Sequence, residues 1–198
     1  MLNIILVAAA YLIGSIPFGL VLGKCLGVDV RQAGSGNIGA TNVNRLLGKK
    51  LGLLTLLADA GKGLLPMLAA AVILDRHQEA DLWIALVGAA AFLGHIYPLY
   101  LRFKGGKGVA TALGIFFYIQ PLAVLACLLL FVVVVRVWGY VSLGSLSAAA
   151  LMPIIISLSG RPAVNVGLAL FISLLIWFKH ADNIKRLLRH EENKVGGR

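Results

Sequence analysis

Nine residues, Gly34-Ser35-Gly36-Asn37-Ile38-Gly39-Ala40-Thr41-Asn42, followed shortly by Arg45, combine residue types suited to holding a phosphate. Glycines let successive backbone N–H groups converge on an anion, Ser35 and Thr41 add hydroxyls, and Arg45 adds a planar fork that binds phosphate oxygens in pairs. The spacing also matches GxGxxG. A dinucleotide fold needs that motif after a β-strand in a βαβ unit, whereas here it follows an apolar run of helix length. From the residues alone two readings stand: a phosphate cradle, or a tight interhelical turn stiffened by Ser and Asn.

Arg102-Phe103-Lys104-Gly105-Gly106-Lys107-Gly108, with Thr111 just beyond, repeats the theme of cations among glycines at a helix start. Unpaired N–H groups at a helix N-terminus bind phosphate readily. Lys107 is followed by Gly108, so the Walker pattern GxxxxGK[ST] is absent and an ATPase is not expected. Anchoring at a membrane boundary would account for the cations here, but not for the glycines between them. A third group, His180-Ala181-Asp182-Asn183, places His180 and Asn183 on one helix face, as a polar site or as an interfacial cap. Asp59 and Lys62 lie three apart inside an apolar run, where an unpaired charge costs about 2.5–3.5 kcal/mol on insertion scales; they are expected to pair.

The elements that must position these residues are membrane helices. With 198 residues, 60% hydrophobic content and a mean hydropathy of +0.92, the chain is too apolar for a soluble domain, and a bilayer is its expected solvent. Apolar runs place seven segments near 2–23, 51–74, 82–101, 109–119, 121–137, 140–158 and 163–179, an all-α polytopic membrane bundle filling residues 1–198 as one domain. The fourth is too short to span unless the bilayer thins or protein covers its ends, and Pro121 divides it from the fifth. The first outlasts a signal-peptide core and has no preceding Lys or Arg, so it should stay in the mature protein.

The net charge of +10 comes without a basic helix or zinc motif, so nucleic acid is not an expected partner. If the first helix enters from outside, all of the 18 Lys and Arg except Lys62, Arg76 and Arg161 fall inside, Arg198 included. The 75–81 loop carries Asp75, Glu79 and Asp81. By the positive-inside rule the N-terminus faces out and the C-terminus lies in the cytoplasm, which puts all three polar groups on the cytoplasmic side. Cys25 and Cys127 fit neither a metal motif nor a disulfide framework and read as packing residues.

Taken together, these segments resemble the acyl-phosphate-dependent glycerol-3-phosphate acyltransferases, the PlsY family, over nearly the whole chain. Gly14-Ser15-Ile16-Pro17-Phe18-Gly19 is similar to the family's first-helix pattern, residues 34–45 to its first cytoplasmic motif, Gly94-His95 through Thr111 to its second, and Ser142 with His180–Asn183 to its third. The resemblance implies a seven-helix bundle in the bacterial inner membrane, with its site on the cytoplasmic face. The substrates it implies are glycerol 3-phosphate and acyl phosphate, and the product is lysophosphatidate, at the first step of phospholipid synthesis. It implies Ser35, Arg45 and Lys104 as central polar residues. Ser142, His180 and Asn183 become substrate contacts, and Gly106 and Gly108 shape a phosphate loop. Gly34, Gly36, Asn37, Gly39, Thr41, Asn42, Gly105, Lys107 and Thr111 complete the expected binding set; no metal or cofactor is expected.

An acyl phosphate is already activated, so such a site has mainly to align a hydroxyl with the carbonyl and offset charge. The H-x4-D acid/base motif is missing, since His77 reaches Asp81 one residue early and His95 meets Tyr100. The proton acceptor is then His180 or the acyl phosphate itself. A transporter of a phosphorylated metabolite is the rival from another class, because broken helices also build transport sites; a structural membrane subunit would not need these polar segments.

Overall fold

The computed structural model describes residues 1–75 and 78–195; Arg76, His77 and Arg198 lie outside them. The regular elements among the described residues are all helices, and the chain divides into two compact units, Met1–Tyr118 and Ile119 to the C-terminus.

The first unit contains α1 (Leu2–Gly14), α2 (Phe18–Cys25), α3 (Ala40–Leu47), α4 (Lys49–Ile73), α5 (Ala80–Ile96), a 3-10 turn at Leu99–Leu101, and α6 (Val109–Ile119), whose last residue opens the second unit. The expected first segment, 2–23, is interrupted. Pro17 has no N–H to donate to the ladder, and, unlike Pro66 and Pro153, each of which lies inside a helix, it coincides with a break: α1 ends at Gly14 and α2 restarts at Phe18. Close helix contacts depend on glycine. A methyl group at Gly14 would fall on the Ala91 carbonyl, and one at Gly94 on the Tyr11 carbonyl, so α1 and α5 meet backbone to backbone. In the same way Gly63 of α4 lies against the Thr111 carbonyl, and Gly114 of α6 against the Ala60 carbonyl.

The second unit contains α7 (Pro121–Trp138), α8 (Val141–Leu158), α9 (Ala163–Lys179) and α10 (Ala181–Leu188). Gln120 leaves helical geometry and Pro121 opens α7, where a missing N–H costs nothing. Phe131 and Val135 of α7 close over Gly144 of α8. The Ser173 hydroxyl of α9 donates to the Ala149 carbonyl of α8 at 2.6 Å. Cys127 packs against Ala148 as expected, whereas Cys25 is exposed.

Among the described residues, five helical stretches are long and apolar enough to cross a membrane: Leu2–Cys25, Lys49–Ile73, Ala80–Leu101, Pro121–Trp138 and Val141–Leu158. α9 and α10, bent by 57° between them, count as a sixth if the bent pair is taken as one span. The remaining segment of the seven, Val109–Ile119, has 11 residues, about 16 Å of helix, well short of a hydrocarbon core of about 30 Å. Its own protein covers it: Thr111, Ala112, Ile115, Phe116 and Ile119 are buried. By contrast the long helices leave many large apolar side chains exposed, Leu158 at 83% and Val72 at 79% among them, a surface suited to lipid.

Candidate active site

Asn42 organises the first glycine segment. Its amide nitrogen donates to the carbonyls of Val30 (2.8 Å), Ala33 (3.2 Å) and Asn37 (2.9 Å), and its oxygen accepts from the Ser35 N–H (2.8 Å). The side chain is 1% exposed, so Asn42 brackets the loop from within. Asn37 adds a short turn by accepting from Gly39 N–H at 2.8 Å. Gly34 sits at φ +63°, with the Asn42 oxygen where a side chain would start. Glycine alone satisfies both conditions there. Gly34, Ser35, Gly36 and Thr41 are exposed and Gly39 half-buried.

Arg45 is exposed at the end of this segment, and among the described residues it makes no ion pair. Arg31 differs. Its fork closes on Asp29 with 2.9 and 2.6 Å hydrogen bonds, and Arg31's side-chain and backbone hydrogen bonds hold the Asp29 carboxyl at about 2. Of the two arginines flanking the glycines, Arg45 keeps its charge uncommitted.

Lys104 follows an unusual turn. Arg102 and Phe103 both occupy the left-handed region, at φ +50° and +64°, a conformation that costs side-chain-bearing residues about 1–2 kcal/mol each. Backbone bonds hold it: Phe103 N–H to Pro98 O at 2.9 Å, Gly105 N–H to Ile96 O at 3.2 Å and Gly106 N–H to His95 O at 3.2 Å. Lys104 is exposed and Lys107 half-buried. Gly106 and Gly108 are buried against the rings of His95 and Phe92, where a methyl group would collide. The first intrahelical bond of α6 is Ala112 N–H to Gly108 O, so the N–H groups just before it have no partner in the helix ladder.

One apolar cluster joins these two segments. Leu20, Val30, Ile38 and Val43 form it, and Leu46, Leu47, Leu51 and Leu101 pack against it. Leu101 immediately precedes Arg102, so the same core supports the Asn42-bracketed loop, α3 and the start of the second glycine turn.

In the second unit, Ser142, His180 and Asn183 are all buried. His180 Nδ1 lies 2.8 Å from the Ile176 carbonyl. A carbonyl only accepts, so a neutral ring carries its proton there. Ser142 and Asn183 share a partner that sequence reasoning did not single out: Glu192 Oε1 accepts from both, at 3.0 and 2.7 Å, while Oε2 accepts from Arg186 Nε at 2.7 Å. Burial alone would raise the Glu192 carboxyl, but the bonds from Arg186, Asn183 and Ser142 outweigh it and hold the group below its ordinary value. The following residues continue the strap, with Val195 N–H donating to Gly139 O at 2.8 Å and Lys194 over the Tyr140 ring.

The family model for glycerol-3-phosphate acyltransferase matches residues 4–190. The chain belongs to the glycerol-3-phosphate acyltransferase family. Relatives so named include those of Geotalea daltonii, 52% identical with 96% of each chain covered, and Geobacter metallireducens, 55% identical with 98% of each covered. Among solved structures, the crystal structure of PlsY (YgiH), an integral membrane glycerol 3-phosphate acyltransferase, in its glycerol 3-phosphate form superposes with a TM-score of 0.93 at 41% identity, covering 99% of this chain and 96% of that one. Its lysophosphatidic acid form gives 0.91 at 40%, covering 100% and 97%. The expected resemblance is therefore met across nearly the full length, and this member of the family is an integral membrane protein.

The acyltransferase-family chain also contains a buried polar group that the sequence showed only in part. Lys62 Nζ pairs with Asp59 Oδ1 at 2.8 Å, as expected, and donates to the Ile16 carbonyl at 2.9 Å. The third member is His95, whose Nδ1 lies 3.7 Å from Asp59 Oδ1. Nothing in the spacing of residues 59 and 95 indicates this; only the packing of α4 against α5 does.

Proposed function

We propose that this chain transfers a fatty acyl group from acyl phosphate to the 1-hydroxyl of sn-glycerol 3-phosphate, releasing 1-acylglycerol 3-phosphate and inorganic phosphate. The observation that carries the reading is the 0.93 likeness to a structure solved in its glycerol 3-phosphate form. Residues 1–198 act as one acyltransferase domain with seven membrane segments, N-terminus outside and C-terminus cytoplasmic, in a bacterial inner membrane. The basic residues between segments support this orientation.

In this reading Arg45 binds phosphate oxygens in pairs and Lys104 acts as a point charge, two modes suited to those side chains. Ser35 and the N–H groups of the two glycine turns orient phosphate or the developing oxyanion, while Asn42 holds the first turn in shape. Ser142, His180 and Asn183 contact substrate. The hydroxyl oxygen attacks the acyl carbonyl, the bond from that carbonyl to the phosphate oxygen breaks, and the proton leaves on the released phosphate. The acyl tail lies in lipid or along apolar helix surfaces.

A second route for the proton has one observation in its favour. With Nδ1–H directed at Ile176 O, a neutral His180 presents Nε2 as an acceptor. His180→Asn protein that binds both substrates yet performs no chemistry would make His180 the base.

The test is acyl transfer by purified protein, with labelled glycerol 3-phosphate and acyl phosphate, acyl-CoA or acyl carrier protein in parallel. Lysophosphatidate from acyl phosphate alone is expected. Equal turnover with acyl-CoA would end the donor assignment. Uptake of glycerol 3-phosphate into proteoliposomes without any donor would favour the transporter.

A further inference from the structure

Asp59, Lys62 and His95 are between 2% and 3% exposed. Burying ionisable side chains is costly even when they pair, and a pair alone adds little net stability. The triad nevertheless occupies a particular place. At one end, Lys62 holds the Ile16 carbonyl in the break between α1 and α2. Ser15 beside it accepts from Leu99 N–H at 3.3 Å, and the Tyr11 hydroxyl donates to Tyr97 O at 2.7 Å. At the other end, His95 supports Gly106 twice: its carbonyl accepts the Gly106 N–H, and its ring lies against the Gly106 α-carbon, Nε2 foremost. Asp59 lies between Lys62 and the Nδ1 edge of that ring.

The turn above this support has bonds of its own, Phe103 N–H to Pro98 O and Lys104 N–H to Leu101 O, but is tied to α5 only through Gly105 and Gly106 among the backbone bonds of residues 102–106. Two consecutive left-handed residues, Arg102 and Phe103, are strained backbone that persists only where its surroundings hold it, and the bonds from Gly105 and Gly106 to α5 are part of that hold. Lys104 lies between the strained pair and those anchored glycines.

We propose that Asp59, Lys62 and His95 form a positioning network that sets the place of the Lys104–Gly108 turn, and through it the binding of a phosphate-bearing substrate, without touching substrate themselves. This rests on the enzyme reading above. It assigns the buried charges to the geometry of the turn, and links that turn to the break in the first membrane helix.

The experiment is steady-state acyl transfer by the purified full chain, varying glycerol 3-phosphate and acyl phosphate separately. His95→Gln, which keeps a polar side chain but not the ring, is expected to raise KM for one phosphate substrate at least tenfold while kcat stays within threefold. Asp59→Asn with Lys62→Gln, removing both charges together, is expected to move the same KM in the same direction. Gly106→Ala drives a methyl group into the ring and is expected to lose at least 100-fold in kcat/KM. Adding His95→Ala to it makes room and should recover at least tenfold. Wild-type KM in His95→Gln or in the paired variant overturns the proposal, as does a loss confined to kcat. So does a folded Gly106→Ala, His95→Ala double variant no better than Gly106→Ala. Wild-type protein that makes no lysophosphatidate from any donor overturns the enzyme reading and this inference with it, whereas an active wild type with unaffected variants overturns the inference alone.

Discussion

Whether a cation is already spent separates the arginines flanking the first glycine segment. Arg31 is closed on Asp29 by two side-chain bonds, while Arg45 and Lys104 have no ion-pair partner among the described residues. Removing either Arg45 or Lys104 by alanine substitution should lower kcat/KM about 10²–10³-fold, the usual scale for a lost charge-stabilising donor. Arg31→Ala should stay within about threefold, because a pair between exposed groups contributes little. Steady-state kinetics on the three variants measures the contrast; equal losses in all three would show that committed and uncommitted cations do not differ in role. Asn42 illustrates what residue type cannot reveal. In the sequence it is one more polar group among glycines, but its amide is fully engaged by its own loop.

At the scale of elements, the short helix α6 depends on contact with α4. Gly114 lies against the Ala60 carbonyl, so Gly114→Val has no space, and overpacking of this kind costs about 1–3 kcal/mol. A lower thermal midpoint in detergent, with less activity per folded molecule, is the expected result. The strap from Glu192 to Val195 carries a pH dependence whose sign follows from its carboxylate. The folded pKa lies below the ordinary one, so the stabilisation is complete above the ordinary glutamate value of about 4.3 and is lost as pH falls through the lower folded value. Hydrogen exchange should show residues 190–195 protected at neutral pH and released in acid. Glu192→Gln should weaken that protection already at pH 7, and protection unchanged by the substitution would mean that the carboxylate is not the anchor.

At the scale of the whole molecule, the proposed orientation can be read with a native probe. Cys25 is exposed and Cys127 buried. An impermeant maleimide should label Cys25 in inverted inner-membrane vesicles and leave it unlabelled in right-side-out ones; the opposite pattern would reverse the topology. Much of this protein was legible in the chain itself. Long apolar runs require lipid and helix, because unpaired backbone groups in hydrocarbon are so costly, and the helix break before α7 follows from the extended backbone that Pro121 favours at Gln120. The glycine turns and their cations were visible because those residue types are local signals. The break at Pro17 is not visible in the chain, since the apolar run continues through it and a proline alone does not mark a break: Pro66 and Pro153 lie inside α4 and α8. The tertiary structure alone decided which partners those residues met. Leu101 joins the two glycine segments through a shared apolar core, Glu192 collects Ser142 and Asn183, and His95 joins Asp59 and Lys62. Each of these groupings includes a residue distant in sequence from the others, and no periodicity encodes them; packing alone determines which buried groups find one another.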